Sequence, residues 1–227
     1  MKGYSAAQVR AAEAPLLAAG EPLMRRAASA LARVIRRQLE AADAVAGPVV
    51  LLVGSGDNGG DALFAGAELR DEGVTVTAIP TSERLHQAGA AAAQATGVRF
   101  VDRSDARAAG AAIESAAVIV DGILGTGTSA APALRGGARE LVAGALPVIS
   151  RRGTRVVAVD LPSGIHPDDG TVPDPTVLPA TVTVTFGAAK AGLLREPAAD
   201  YTGRIEVVDL GLGPGLAGMQ PLIETEA

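Results

Sequence analysis

The chain has no cysteine and no tryptophan. The first absence removes disulfides, thiol nucleophiles and cysteine-based zinc sites, and it is compatible with the cytoplasm. Only three Phe and two Tyr are present, too few to build a platform on which nucleic-acid bases stack. Basic residues are outnumbered, 20 Lys and Arg against 25 Asp and Glu for a formal net charge of -5, which argues against a phosphate backbone as partner. No apolar run approaches the length of a membrane span, and near the start Arg10 and Glu13 interrupt any core that a signal peptide needs. The reading is a soluble, unprocessed, cytoplasmic protein that binds neither nucleic acid nor membrane.

At 227 residues and 48% hydrophobic, the chain can bury a substantial core, and its length favours one domain with additions. The stretch that organises it is VVLLVGSGDNGGD, Val49 to Asp61. Its opening apolar run looks like a parallel strand covered on both faces. Glycine-rich polar sequence follows, and then a helix, ALFAGAELRDEG, ending at Gly73. Strand, glycine turn and helix in that order bring backbone N–H groups and a helix N-terminus to one spot. Gly54, Gly56 and Gly59 also satisfy the dinucleotide pattern GxGxxG, but Gly makes up 28 residues, so chance matches are common. A dehydrogenase needs an acidic residue at the end of its second strand to hold the ribose. Here VTVTAI, Val74 to Ile79, runs into Pro80 without a carboxylate, which disfavours a nicotinamide dehydrogenase.

Before this stretch, Ser5 and Gln8 suit a capping box opening a short helix that Pro15 ends or bends. A second helix runs from Pro22 to about Ala41. Its apolar stripe includes Leu23, Leu31, Ile35 and Leu39, and its arginines, Arg25, Arg26, Arg33, Arg36 and Arg37, make a solvated face. After VTVTAI the chain alternates. SERLHQAGAAAAQAT reads as a helix capped by Thr81 or Ser82, VRFV as a strand, DRSDARAAGAAIES as a helix and AAVIVD as a strand. A second glycine-bearing loop, GILGTGTSAAP, leads to a helix from Ala138. The strand RVVAVD then runs into LPSGIHPDDG, and TVTVTF and RIEVVDL close the series. This order predicts a three-layer, doubly wound α/β fold with a mostly parallel sheet, and places ligands outside the carboxyl ends of its strands.

Three strand ends carry chemistry. VVLLV delivers Asn58 and Asp61, AVIVD delivers Asp121 with Gly125, Thr126 and Gly127, and VVAVD delivers Asp160 with Ser163 and Gly164. A single Asp at a strand end commonly caps the next turn. Three such ends in one chain favour a common site.

These residues carry a family resemblance. In order and spacing, GSGDNGGD, VDGILGTG, VDLPSGIHPDDG and TFGAAKAGLL resemble the NAD(P)H-hydrate epimerases, whose fold is called the YjeF N-terminal domain. Glu13, Leu23 and Met24 extend the match loosely into the first helices, and it reaches VVDLGLG near Gly213. It implies a Rossmann-like domain over residues 1–213, with 214–227 as a tail or linker to a dehydratase domain. It also implies an isomerase that interconverts the R and S forms of hydrated NADH and NADPH, NADHX and NADPHX, in nicotinamide-nucleotide repair. An ADP- or ATP-dependent dehydratase is then the pathway partner, and a homodimer the assembly.

Carried over by motif, Asp57, Asn58, Gly59, Gly60 and Asp61 contact substrate phosphates and ribose. Gly125, Thr126, Gly127, Thr128, Ser129, Ala130 and Ala131 contact substrate from the second loop, and Asp160 also touches it. Asn58, Asp121 and Ser163 hold a potassium ion, a set of hard oxygens suited to an alkali or alkaline-earth cation. Asp160 and Lys190 are the catalytic candidates. The departures from the family pattern are Asp57 for Asn, Ala62 for Gly, Arg25 for Glu and Thr181 for Asp. His86, on an alanine-rich helix, reads as exposed, and His166, beside Pro167, Asp168 and Asp169, as part of an exposed turn. The competing reading is a non-catalytic dinucleotide-binding or dimerisation module, because the domain also resembles part of an mRNA-decapping scaffold. Such a module needs no ion site combined with a substrate aspartate.

Overall fold

The structure is a computed structural model that describes residues 1–128 and 131–225. The chain opens with β1 (Lys2–Tyr4) and α1 (Ala6–Ala18). Ser5 and Gln8 form the reciprocal capping box that satisfies two N-terminal donors of α1. Of the two outcomes expected at Pro15, an end or a bend, the helix does not end there. Its ring removes one N–H, yet its carbonyl still accepts from Ala19 at 3.0 Å, so the last turn persists. α2 (Leu23–Ala41) buries Leu31, Ile35 and Leu39 and leaves most of its arginines outward.

β2 (Val49–Val53), α3 (Asp57–Asp71), β3 (Val76–Pro80), α4 (Gln87–Ala95), β4 (Arg99–Phe100), α5 (Ala106–Ser115) and β5 (Val118–Gly122) follow. The second half contains α6 (Gly136–Arg152), β6 (Arg155–Val159), β7 (Val182–Phe186), β8 (Ala189–Lys190), α7 (Ala199–Thr202), β9 (Arg204–Val208), α8 (Gly213–Leu216) and β10 (Ile223–Glu224). Seven strands form one parallel sheet in the order β4-β3-β2-β5-β6-β7-β9. The chain runs outward from β2 in one direction and from β5 in the other, so a crevice opens between their carboxyl ends.

Successive side chains of a strand point to opposite faces. Val49, Leu51 and Val53 therefore pack with α2, α3 and α4, while Val50 and Leu52 pack with α5 and α6. Leu51 and Leu52 are both fully enclosed, and each contributes about 2 kcal/mol of apolar burial. This accounts for the unbroken apolar runs that betrayed the strands in the sequence.

The largest difference from the sequence reading lies in the glycine stretch. α3 begins at Asp57, five residues before the expected start, and takes Gly59 and Gly60 into its first turns. Two consecutive glycines look like a helix breaker. Here packing requires one of them: a Cβ on Gly59 would come within 2.2 Å of the Gly54 carbonyl oxygen. The start of α4 also differs, since His86 and not Thr81 or Ser82 is its N-cap, accepting the Gly89 N–H on Nδ1 at 3.1 Å. His86 is half-buried, edge-on to Phe64.

A second, three-stranded sheet, β10-β1-β8, was invisible in the sequence because its members are two or three residues long. β1 pairs antiparallel with β10 and parallel with β8. The stretch after 213, expected as a tail, thus folds back through α8 and β10. No helix among the described residues is long and apolar enough to cross a membrane.

Candidate active site

The carboxyl ends of β2, β5 and β6 lie side by side, as the strand-end pattern required. Their close approach depends on Gly54, where a Cβ would come within 1.8 Å of the Ile123 carbonyl oxygen. Two adjacent polar clusters occupy these ends.

The first gathers Asn58, Asp121 and Ser163. Asn58 sits in the first turn of α3 and donates its amide to the carbonyls of Leu124 at 3.0 Å and Val159 at 2.6 Å. Gly125 leaves room for that side chain, because a Cβ there would come within 2.8 Å of the Asn58 amide oxygen. Asp121 is 1% exposed. Its Oδ1 accepts from the Ser163 hydroxyl at 2.6 Å and the Ile123 N–H at 3.3 Å, and its Oδ2 from the Ser163 N–H at 2.8 Å. The Ser163 hydroxyl in turn accepts the Leu124 N–H at 2.8 Å. Burial pushes the Asp121 carboxyl above its usual range, while the Ser163 and Ile123 bonds pull it back. Among the described residues no Lys, Arg or His pairs with it.

The second cluster is built on Asp160, which follows β6 in the left-handed region at φ 67°. A non-glycine residue there carries strain that the surroundings must hold in place. Three donors do so at Oδ1: the Lys190 ammonium, the Thr185 hydroxyl at 3.1 Å and the Phe186 N–H at 3.1 Å. Oδ2 accepts no hydrogen bond from the described residues. Lys190, in β8, is almost fully enclosed, and its three N–H groups go to Asp160, Thr185 and the Phe186 carbonyl. It therefore acts on its surroundings through charge and by fixing Asp160.

Asp160 and Lys190 open into a cavity of about 110 Å³ that Asp57, Asn58, Asp61 and Thr126 also line. Its remaining wall comes from α1, through Val9, Arg10 and Glu13. Glu13 belongs to the site and was not singled out for a role in the sequence. The available signal was a carboxylate four residues after the buried Val9, on the same helix face. Asp61 is buried, and its Oδ1 has no hydrogen-bond partner. Burial, helped by Asp160, Asp57 and Glu13, pushes its carboxyl well above the ordinary range. Burial also raises Glu13, against the opposing charge of Lys190.

The other expected contacts divide. Gly59 and Gly60 do not line this cavity: Gly59 faces the Gly54 carbonyl and Gly60 the His86 ring. Ala131 lines a neighbouring cavity of about 280 Å³ with Gly54, Ser55, Thr81 and Ser82. Gly125 packs on Asn58, Gly127 and Thr128 lie in a single 3-10 turn with Thr126, and Ser129 and Ala130 fall outside the described residues. His166 accepts from the Asp168 and Asp169 N–H groups on Nδ1, so it organises its own turn. A larger cavity of about 510 Å³ between α5 and α6, lined by residues such as Ala109, Ile113 and Leu141, touches none of these groups.

Residues 20–192 match the model of a family described as YjeF-related protein N-terminus. An NAD(P)H-hydrate epimerase of Clavibacter michiganensis is 54% identical over 224 residues, covering 97% of this chain and 94% of that protein. A protein of the same name from Microbacterium testaceum is 49% identical, covering 97% and 82%. A bifunctional NAD(P)H-hydrate repair enzyme of Mycobacterium tuberculosis is 39% identical, and the match spans 92% of this chain but 41% of that longer protein. Among solved structures, a yeast protein, ynu0, superposes with a TM-score of 0.76 over 100% of this chain and 97% of its own at 20% identity, which concerns the fold alone. With its doubly wound sheet and four motifs in order, this chain belongs to the YjeF-related N-terminal domain family.

Proposed function

We propose that this chain is an isomerase that interconverts the R and S forms of hydrated NADH and NADPH. The observation that carries the reading is Asp160: strained, buried, held at one oxygen by three donors and open to a cavity at the other. A pocket for a whole drug-sized ligand measures roughly 300–1,000 Å³. The 110 Å³ available here fits one six-membered ring, with the rest of the dinucleotide outside, towards Asp57 and the cavity that contains Ala131.

In the hydrate, one ring carbon bears both a hydroxyl and the ring nitrogen. Asp160 takes the hydroxyl proton through Oδ2, and the oxygen's electron pair forms a C=O bond as the carbon–nitrogen bond breaks towards nitrogen. The freed carbonyl turns its other face, nitrogen adds back, and Asp160 returns the proton to oxygen. Atoms and electrons balance with no redox partner. Lys190 keeps the carboxylate aimed, with its own N–H groups fixed on Asp160, Thr185 and the Phe186 carbonyl.

Asn58, Asp121 and Ser163 fit a potassium ion. All their available ligands are oxygens, and Asp121 contributes one buried negative charge without a cationic partner among the described residues. The ion would supply that counter-charge and fix the β2 and β5 loops. The relative named a bifunctional NAD(P)H-hydrate repair enzyme supports a second repair activity on the same hydrates, and an ADP- or ATP-dependent dehydratase that consumes one epimer is the partner the resemblance implies. A homodimer is the assembly expected from the resemblance, the absence of cysteine is compatible with the cytoplasm, and light scattering tests the assembly. The function itself is tested by supplying separated R and S NADH hydrates with potassium present. Equilibration faster than the spontaneous rate is expected; an unchanged rate refutes the assignment and favours a binding module.

A further inference from the structure

Apart from Arg10, which is exposed on the α1 wall, and the Thr126 hydroxyl, the donors that line the cavity are already used. Lys190 has spent its three N–H groups on Asp160, Thr185 and Phe186, and Asn58 has spent its amide on two carbonyls. Acceptors are in surplus. Asp61 is 5% exposed and its Oδ1 has no partner, while Glu13 makes no ion pair or side-chain hydrogen bond among the described residues. A buried polar atom without a partner costs about 1–3 kcal/mol, and the carboxyl group that carries this one lines the cavity. Among the described residues no group of His, Cys, Asp or Glu is arranged to hold a metal ion. An anionic occupant would meet four carboxyl groups, Glu13, Asp57, Asp61 and Asp160, against two cations, Arg10 and a Lys190 already paired with Asp160.

We propose that Glu13 and Asp61 form a subsite that recognises the primary carboxamide of the substrate ring. This rests on the epimerase reading. The substrate brings an O–H and two amide N–H groups. Asp160 takes the hydroxyl, leaving the amide for the two remaining carboxyl groups, one on α3 and one on the α1 wall. The burial that favours a neutral Asp61 suits this pairing, because a neutral carboxyl can accept an amide N–H and donate to the amide oxygen. Glu13 then accepts the second N–H. It lies outside the residues 20–192 matched by the family model.

The test compares NADH hydrate with the hydrate of the 3-acetylpyridine analogue, whose methyl ketone has a similar shape but no N–H. Each kcat/KM is divided by that compound's spontaneous epimerisation rate. Wild type should favour the amide by about 10- to 100-fold, because the ketone leaves the buried acceptors unpaired. Glu13→Leu should bring the preference below about threefold, mainly by raising KM for the amide, and Glu13→Gln, which keeps an acceptor, should restore most of it. Turnover of both hydrates with equal corrected efficiency overturns the subsite and leaves the epimerase standing, and this arm needs no variant to fold. A Glu13→Leu protein with wild-type melting temperature and an unchanged preference overturns Glu13's part. No turnover of either hydrate overturns the epimerase reading, and the subsite falls with it.

Discussion

Asp121 and Asp160 lie at the ends of the neighbouring strands β5 and β6, and both are buried, yet the chain treats their charges differently. Asp160 has an internal counter-ion in Lys190. Asp121 has two N–H groups and a hydroxyl but no cation among the described residues. An enclosed carboxylate without an opposite charge is costly unless it is protonated or supplied with one. The contrast divides the labour: one carboxylate is neutralised from within and left with a free oxygen for chemistry, and the other is built for a charge from outside.

The largest test of this contrast is Asp160→Asn. General acid/base help is typically worth ~10² to 10⁴ in rate, so kcat for the epimerisation should fall by about that factor, after subtraction of the spontaneous reaction, with the circular dichroism spectrum unchanged. Wild-type turnover would reassign the proton transfer to water, because His166 is occupied in its own turn. On the other side of the contrast, Asp121→Ala should abolish the rise in melting temperature that potassium chloride, compared with a bulky organic cation chloride, gives wild type. It should also cost about 1–3 kcal/mol through the donors left unpaired on Ser163 and Ile123. An identical potassium response in both proteins would break the division.

Asp61 sharpens it through pH. Its folded-state carboxyl is raised well above the ordinary value. The unfolded group ionises near pH 4, so above that pH the folded chain holds more proton than the unfolded one. Stability from this group is then fully present below about pH 4 and is lost as pH rises through the folded value. Asp61→Asn should remove that fall, and its melting temperature relative to wild type should climb from pH 4 to pH 8. A constant difference across the range would contradict the burial argument. The smallest effect belongs to Asp57, which is exposed at the first turn of α3. Replacing it with Asn removes one like charge in water, worth a threefold to fivefold gain in dinucleotide affinity by calorimetric titration. Equal or weaker binding would place its carboxylate away from phosphate.

The central sheet was legible because enclosed strands leave unbroken apolar runs, and the strand ends were legible because Asp121 and Asp160 stand where those runs stop. The start of α3 was not. Local propensity reads Gly59 and Gly60 as a break, whereas the Gly54 carbonyl, a tertiary neighbour, demands a residue without a Cβ. Lys190 could be picked out from its motif, but the saturation of its three donors depends on a turn after β7 that no periodicity describes. Glu13 was hidden because α1 reaches the cavity only through β1, whose pairing spans nearly the whole chain.

That pairing has a mechanical consequence. In β1, Tyr4 is in register with Lys190, and Gly3 with both Ala189 and Ile223. The helix bearing Glu13 begins two residues after Tyr4. The small sheet therefore works as a caliper, setting the gap between the wall that carries Glu13 and the wall that carries Lys190. Its jaws are clamped by the end of the described chain, through β10, which pairs with β1 and with none of the seven strands that hold the core. The width of the reaction chamber and the stability of the fold are thus adjusted by separate parts of the molecule, and loosening β10 would detune the first while leaving the second in place.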